Sequence, residues 1–127
     1  MKKLIYVAMV VAVLSGCVGV HTKLANQYRN QATAAMKTGS YLEAAQLFER
    51  SAEAEKNSPS PRLAALAPAL SGAATAYKTI GQYDKALKYY EEALTIGRKL
   101  GHEGYVAKCL NNIGQVYKSW GQYDKAL

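Results

Sequence analysis

Apolar and polar positions along this chain follow two superposed periods, one of a single helical turn and one of about 40 residues. The long period is the more informative, because self-similarity decides the architecture before any local reading does. Gly81-Gln82-Tyr83-Asp84-Lys85-Ala86-Leu87 recurs residue for residue as Gly121-Gln122-Tyr123-Asp124-Lys125-Ala126-Leu127. Extended backwards, Ala67 to Leu87 and Ala107 to Leu127 share eleven of 21 positions, among them Leu70/Leu110, Tyr77/Tyr117 and Lys78/Lys118. A weaker copy, Gly39-Ser40-Tyr41-Leu42-Glu43-Ala44, lies 42 residues upstream of the Gly81 copy, behind Ala32, Thr33 and Ala34. Within each copy the short period predicts two helices around a glycine. Ala32/Ala35, Ala74/Tyr77 and Gly114/Tyr117 precede the glycine. Tyr41/Ala44/Phe48, Tyr83/Ala86/Tyr90 and Tyr123/Ala126 follow it at the i, i+3, i+7 spacing of one buried face. Gly39, Gly81 and Gly121 stand where a helix ends in a left-handed residue, a conformation glycine adopts without steric cost. Ala32, Ala74 and Gly114 are small enough to let paired helices approach, and the aromatic side chains of the second helix fill the remaining space.

The connection Asn57-Ser58-Pro59-Ser60-Pro61 separates the first two copies, with Ser60 fit to cap a helix and Pro61 to occupy its first turn. Pro68 then falls seven residues in, which leaves two alternatives open: a helix kinked there, or one starting near Pro68. A second helix running from Tyr83 to about Leu100 is stopped by Gly101.

Small residue, Tyr, Gly, Tyr, Ala, aromatic, Ala at these offsets resembles the tetratricopeptide repeat. The resemblance covers residues 24–127, with repeats over about 25–58, 67–100 and 107–127. It implies an all-α fold, a right-handed superhelix (α-solenoid) of antiparallel helix pairs. The period is longer than the family's common 34 residues, as in the variant found in kinesin light chains and bacterial scaffold proteins. Arg98 stands where the family has a Pro. The third repeat holds its first helix, Val106 to Trp120, but only Gln122 to Leu127 of the second. The expectation is a chain that stops in mid-repeat, with Ile113, Val116, Tyr117 and Trp120 lacking a covering helix.

The N-terminus carries different information. Met1-Lys2-Lys3, an apolar run from Leu4 to Leu14 and the small residues Ser15-Gly16 are the three parts of a secretory signal. Eleven apolar residues are short of the ~20 that span a bilayer as a helix. Leu14-Ser15-Gly16-Cys17 resembles the bacterial lipoprotein signal; the alternative is a plain signal peptide with an incidental Cys. The resemblance implies residues 1–16 as signal, cleavage before Cys17, a diacylglyceryl thioether on its sulfur, and residues 17–23 as a tether. Stable anchoring requires two acyl chains or more. Val18 stands where an Asp would favour inner-membrane retention, so the resemblance implies a bacterial envelope protein held at the outer rather than the inner membrane.

Charge narrows the functional reading. The chain carries +7 from 16 basic and 9 acidic side chains, and loss of Lys2 and Lys3 would leave +5. All nine carboxylates fall in the second helices or turns that the pattern predicts, and none in a predicted first helix. The family points its first helices into a concave groove, and the positions it directs there are Arg29, Thr33, Lys78, Lys108, Asn111, Gln115 and Lys118, with Ser71 and Thr75. A basic concave surface favours an acidic peptide or a C-terminal carboxylate; the alternative is a set of solvating lysines. The family's carboxylate clamp pairs a Lys with an Asn one turn on, and Arg29/Thr33 and Asn111/Gln115 do not reproduce it.

Catalysis finds no constellation. His21 and His102 are far apart and read as solvated, Cys109 sits on an apolar stripe and reads as buried, and Glu91 and Glu92 diverge by ~100° on a helix. Two cysteines exclude a four-thiolate zinc site, and no phosphate loop is present. The expected protein is therefore a non-enzymatic scaffold without metal or cofactor, binding protein or peptide and neither nucleic acid nor small-molecule substrate. The alternative is the N-terminal repeat part of a larger envelope signalling or enzymatic protein.

Overall fold

A computed structural model describes residues 2–126, with side chains described at 2–3, 6 and 19–121. Cys17, most of the apolar run and the side chains of the last heptapeptide after Gly121 lie outside those residues. Five helices follow one another: α1 (Lys2–Lys37), α2 (Tyr41–Lys56), α3 (Leu63–Thr79), α4 (Tyr83–Lys99) and α5 (Glu103–Ala126). Each packs chiefly on its neighbours in the chain, α1 on α2, α2 on α3, α3 on α4 and α4 on α5, which is the one-dimensional stacking of a solenoid. No helix among the described residues is long and apolar enough to cross a membrane.

Alanines make the close helix contacts. Ala32, Ala44, Ala45, Ala73, Ala74, Ala76, Ala86 and Ala93 are fully buried, and Phe48, Leu70, Tyr77 and Tyr90 fill the space between them. Phe48 and Tyr90 thus sit where the stripe of each second helix places them, while Tyr41 and Tyr83 are half-buried at its edge. Cys109 is buried, as its apolar stripe predicts.

Three glycines end helices in one way. Gly39 and Gly81 have φ of 80° and Gly101 has 65°. At each, the glycine N–H donates to the carbonyl three residues back (Met36, Lys78, Arg98) and the next N–H donates five back (Ala35, Tyr77, Gly97). That paired arrangement satisfies carbonyls the helix end leaves free. The residue after the glycine then accepts the first hydrogen bond of the following helix: Ser40 from Ala44, Gln82 from Ala86, His102 from Val106. A single residue closes one helix and opens the next.

Gly121 departs from this rule, although its heptapeptide is identical to that at Gly81. Helix α5 runs through it to Ala126, and its φ is not positive. At Gly81 the turn is held by the buried Ala86, Tyr90 and Ala93 of a 17-residue helix. The second copy brings no such stripe within the described residues, and continuing the helix forfeits no backbone hydrogen bond. The two glycines should therefore answer oppositely to alanine. Gly81→Ala forces a left-handed alanine and should cost about 1–2 kcal/mol, whereas Gly121→Ala should be neutral or stabilise by up to about 1 kcal/mol. Denaturant midpoints of the two variants check this; a loss of stability in both would show that Gly121 turns as well.

Other expectations also need correction. Residues 17–23 are helical and continuous with the first repeat helix, since no proline or left-handed glycine interrupts α1. Ser60 and Pro61 do not open α3: Arg62 is its N-cap, the helix begins at Leu63, and Pro68 lies inside it in the second turn. Gly114 is exposed with no atom within 4 Å of where a Cβ would stand, so nothing exploits its size. The glycines that do permit close approach are Gly72, where a Cβ would come 2.6 Å from the Phe48 ring, and Gly97, where it would come 2.8 Å from that of Tyr105.

The α2–α3 link is fastened by charge. Glu55 is 2% exposed, and its carboxylate accepts from the Arg62 backbone N–H, Nε and Nη2, each at 2.9 Å. Burial pushes the Glu55 carboxyl up, but the Arg62 hydrogen bonds and the charges of Arg62 and Arg29 outweigh it and hold the group below its ordinary value.

Candidate functional site

Side chains of α1, α3 and α5, with Phe48 of α2, enclose a cavity of about 230 Å³ on the side of the solenoid where the first helices of the pairs meet. Its apolar surface comes from Met36, Phe48, Pro68 and Gly72, and its polar surface from Ser71, Thr75, Lys108 and Asn112. Gly72 is what lets the Phe48 ring approach the backbone of α3 so closely. Tyr105 closes one end. Its ring lies against Gly97, its hydroxyl donates to the Ala67 carbonyl at 2.8 Å, and burial pushes that hydroxyl up to about 12.

Most hydroxyls around the cavity are already engaged within the fold. Ser71 Oγ donates to the Pro68 carbonyl (3.2 Å) and Thr75 Oγ1 to that of Ser71 (2.9 Å). With the Thr75 proton spent there, the Tyr90 hydroxyl donates to Thr75 Oγ1 across 2.7 Å. Lys108 and Asn112 make no side-chain hydrogen bond among the described residues.

The groove residues expected from sequence separate into four groups. Lys108 lines the cavity together with Ser71 and Thr75. Lys78 and Gln115 meet each other, Nζ donating to Oε1 at 3.0 Å, and so join α3 to α5. Asn111 and Lys118 are exposed on α5 outside the cavity, and Asn112 takes the place beside Lys108. On α1, Thr33 is exposed and donates to the Arg29 carbonyl (2.9 Å). Arg29 itself donates to Asn26 Oδ1 (3.0 Å) and belongs to the polar network around Glu55.

Sequence reasoning missed a second cluster, on α2, α3 and α4. The Glu49 carboxylate accepts from the hydroxyls of Tyr77 and, at 2.8 Å, Tyr89. The two rings stack with centroids 6.0 Å apart, and the ammonium groups of Lys85 and Lys88 lie 5.1 and 5.4 Å from their centroids. Burial and then the carboxylate push both hydroxyls far above the ordinary tyrosine value, so they act as fixed neutral donors that bind three helices together. The Lys and Tyr spacing carried no signal of this, because Glu49 comes from another repeat.

Burial raises the Cys109 thiol, which disfavours the thiolate. His102 is engaged as a helix cap, its Nδ1 accepting from the Tyr105 N–H at 3.2 Å. Among the described residues, no group of three His, Cys, Asp or Glu could hold a metal ion.

Comparison with known proteins agrees with this geometry. A tetratricopeptide repeat profile matches residues 23–99 and 81–127. The crystal structure of BtubC (BKLC) from P. vanneervenii superposes with a TM-score of 0.59 at 21% identity, over 89% of this chain and 52% of that one. The chain thus spans about half the length of that structure, and the likeness shows the fold alone. Among curated proteins none matches.

Proposed function

Since the chain belongs to the tetratricopeptide repeat family, we propose that it is a lipid-anchored adaptor of a bacterial envelope whose concave face holds an acidic protein or peptide. Repeats of this family serve as protein-interaction modules rather than catalysts. The observation that carries the reading is the groove-side cavity, whose lining includes Lys108 and no carboxylate. Opposite charge on a partner both steers and orients docking on such a surface. The anchor rests on the Leu14 to Cys17 motif and the apolar run before it.

Two substitutions test the two halves separately. Cys17→Ser should release the protein from the membrane fraction of cells, and a native preparation whose Cys17 is an unmodified thiol would sink the anchor. Lys78→Glu with Lys108→Glu should abolish capture of an acidic peptide and leave helical circular dichroism unchanged. Retention of peptide at the original salt dependence would favour the solvating-lysine alternative.

A further inference from the structure

We infer that the exposed stripe of α5 is an interface between two copies of this chain, paired antiparallel about a two-fold axis level with residue 112. This goes beyond the adaptor reading and does not depend on it. Ala107, Leu110, Gly114, Tyr117 and Gly121 follow one another at steps of three, four, three and four, and all five are exposed. That is the spacing of a helix seam that meets another helix. Leu110 and Tyr117 stand out at 48% and 56% exposure, whereas Gly114 and Gly121 have no atom within 4 Å of where a Cβ would be. Large and small residues thus alternate along about 21 Å of helix, and no charged residue interrupts the stripe.

Such a stripe is complementary to itself when it is reversed. With residue 112 level with the axis, Leu110 lies on Gly114 of the second copy and Tyr117 lies on its Ala107, and the two-fold repeats both contacts. The surface beside Ala107 is already hollow. A cavity of about 400 Å³ lies there, between Gly97 and Arg98 of α4 and Glu103, Val106 and Leu110 of α5. The ring of Tyr117 from the second copy enters it, and this fixes the register. A shift of one heptad also sets large on small, but leaves the cavity empty.

Charge agrees with this pairing. Glu103 falls opposite Gly121 of the second copy, one turn from its Lys118, and both charged side chains are exposed. The salt bridges among the described residues involve neither of them. A parallel pairing would instead set Lys118 beside Lys118 and Glu103 beside Glu103. Lys108 and Asn112 border the groove-side cavity from roughly the opposite side of α5, so the dimer leaves both of its groove-side cavities open.

Sedimentation equilibrium of the full chain, in density-matched detergent between about 1 µM and 1 mM, tests this. One helix from each copy makes a small interface, so the expected result is a concentration-dependent monomer–dimer equilibrium rather than a permanent dimer. Gly114→Gln should weaken the dimer about tenfold or more, because it fills the position that receives Leu110. Its fold at the lowest concentration should be intact, since the added side chain enters open space and Gln is the better helix former. Tyr117→Ala should weaken the dimer to a similar degree. Lys118→Glu should weaken it at low salt, and Glu103→Lys in the same chain should restore it, which only the antiparallel pairing allows. A single-chain mass at every concentration would overturn the proposal and leave the stripe to a different polypeptide. So would a dimer whose affinity Gly114→Gln does not change, because it would lie on another surface.

Discussion

Replacing Arg62 by Ala should cost about 2–3 kcal/mol at neutral pH and reverse the sign of the protein's response to acid. Removing one partner of a buried ion pair typically costs about 3–5 kcal/mol. Arg62 is 41% exposed and its charge is partly hydrated, which places the effect at or below the lower end of that range. The reversal follows from linkage. In the intact protein the folded pKa of Glu55 lies below its ordinary 4.5. The contribution of the pair is therefore complete above 4.5 and is lost as pH falls through the folded value. Without the guanidinium, burial, the largest single influence on Glu55, is opposed only by the backbone N–H of residue 62 and the charge of Arg29, and the folded value rises above the ordinary one. The variant should then be most stable where Glu55 is protonated, and should weaken as pH rises through the raised value. Urea denaturation of both proteins between pH 3.5 and 7 measures this. A variant curve parallel to that of the parent would mean that Glu55 draws its stabilisation from elsewhere.

Amide exchange in α5 should run about 10- to 100-fold faster than in α3, despite the sequence they share. Leu70 and Tyr77 of α3 are 1% and 3% exposed, whereas their counterparts Leu110 and Tyr117 on α5 are 48% and 56% exposed. Full burial of a large apolar side chain contributes about 1.5–3 kcal/mol, so half of that is missing at each of two positions and α5 opens for about 1.5–3 kcal/mol less. Val116 and Cys109, on the face turned to α4 and α3, are as buried as anything in the molecule. They keep the helix docked, so the expected behaviour is graded opening rather than detachment. Equal protection at 66–79 and 106–120 by mass spectrometry would show that something covers Leu110 and Tyr117 in solution.

Much of this architecture is legible in the sequence because the signals are local. Gly39 and Gly81, each two residues before a Tyr-x-x-Ala stripe, end helices where that pattern indicates, and Gly101 ends α4 where the sequence places its stop. Phe48 and Tyr90 are placed by helical period alone. What stays hidden depends on contact between segments. Glu55 and Arg62 are seven residues apart across a proline-rich link, and neither burial nor pairing is written in that spacing. Gly72 looks like one small residue among many alanines until the Phe48 ring is laid on it. Gly121 shows the limit most sharply: the same heptapeptide breaks the helix at Gly81 and is crossed by an unbroken helix from Gly121 to Ala126. The candidate site was half legible for the same reason. Lys108, Ser71 and Thr75 come together at the cavity, but Asn112 replaces Asn111 there, and Arg29 is engaged with Asn26 on its own helix.

The two kinds of connection give the solenoid two kinds of mechanical joint. At Gly39, Gly81 and Gly101 one residue ends a helix and begins the next, which leaves no torsion free to vary. Between α2 and α3 the chain instead crosses residues 57–62, and the Glu55–Arg62 contact fastens that link beside the packing of the two helices. The cavity spans it, with Met36 and Phe48 on one side and Pro68 to Thr75 on the other. Together with the packing of α2 on α3 and the Tyr77–Glu49 hydrogen bond, the contact sets how far the two walls of the cavity stand apart.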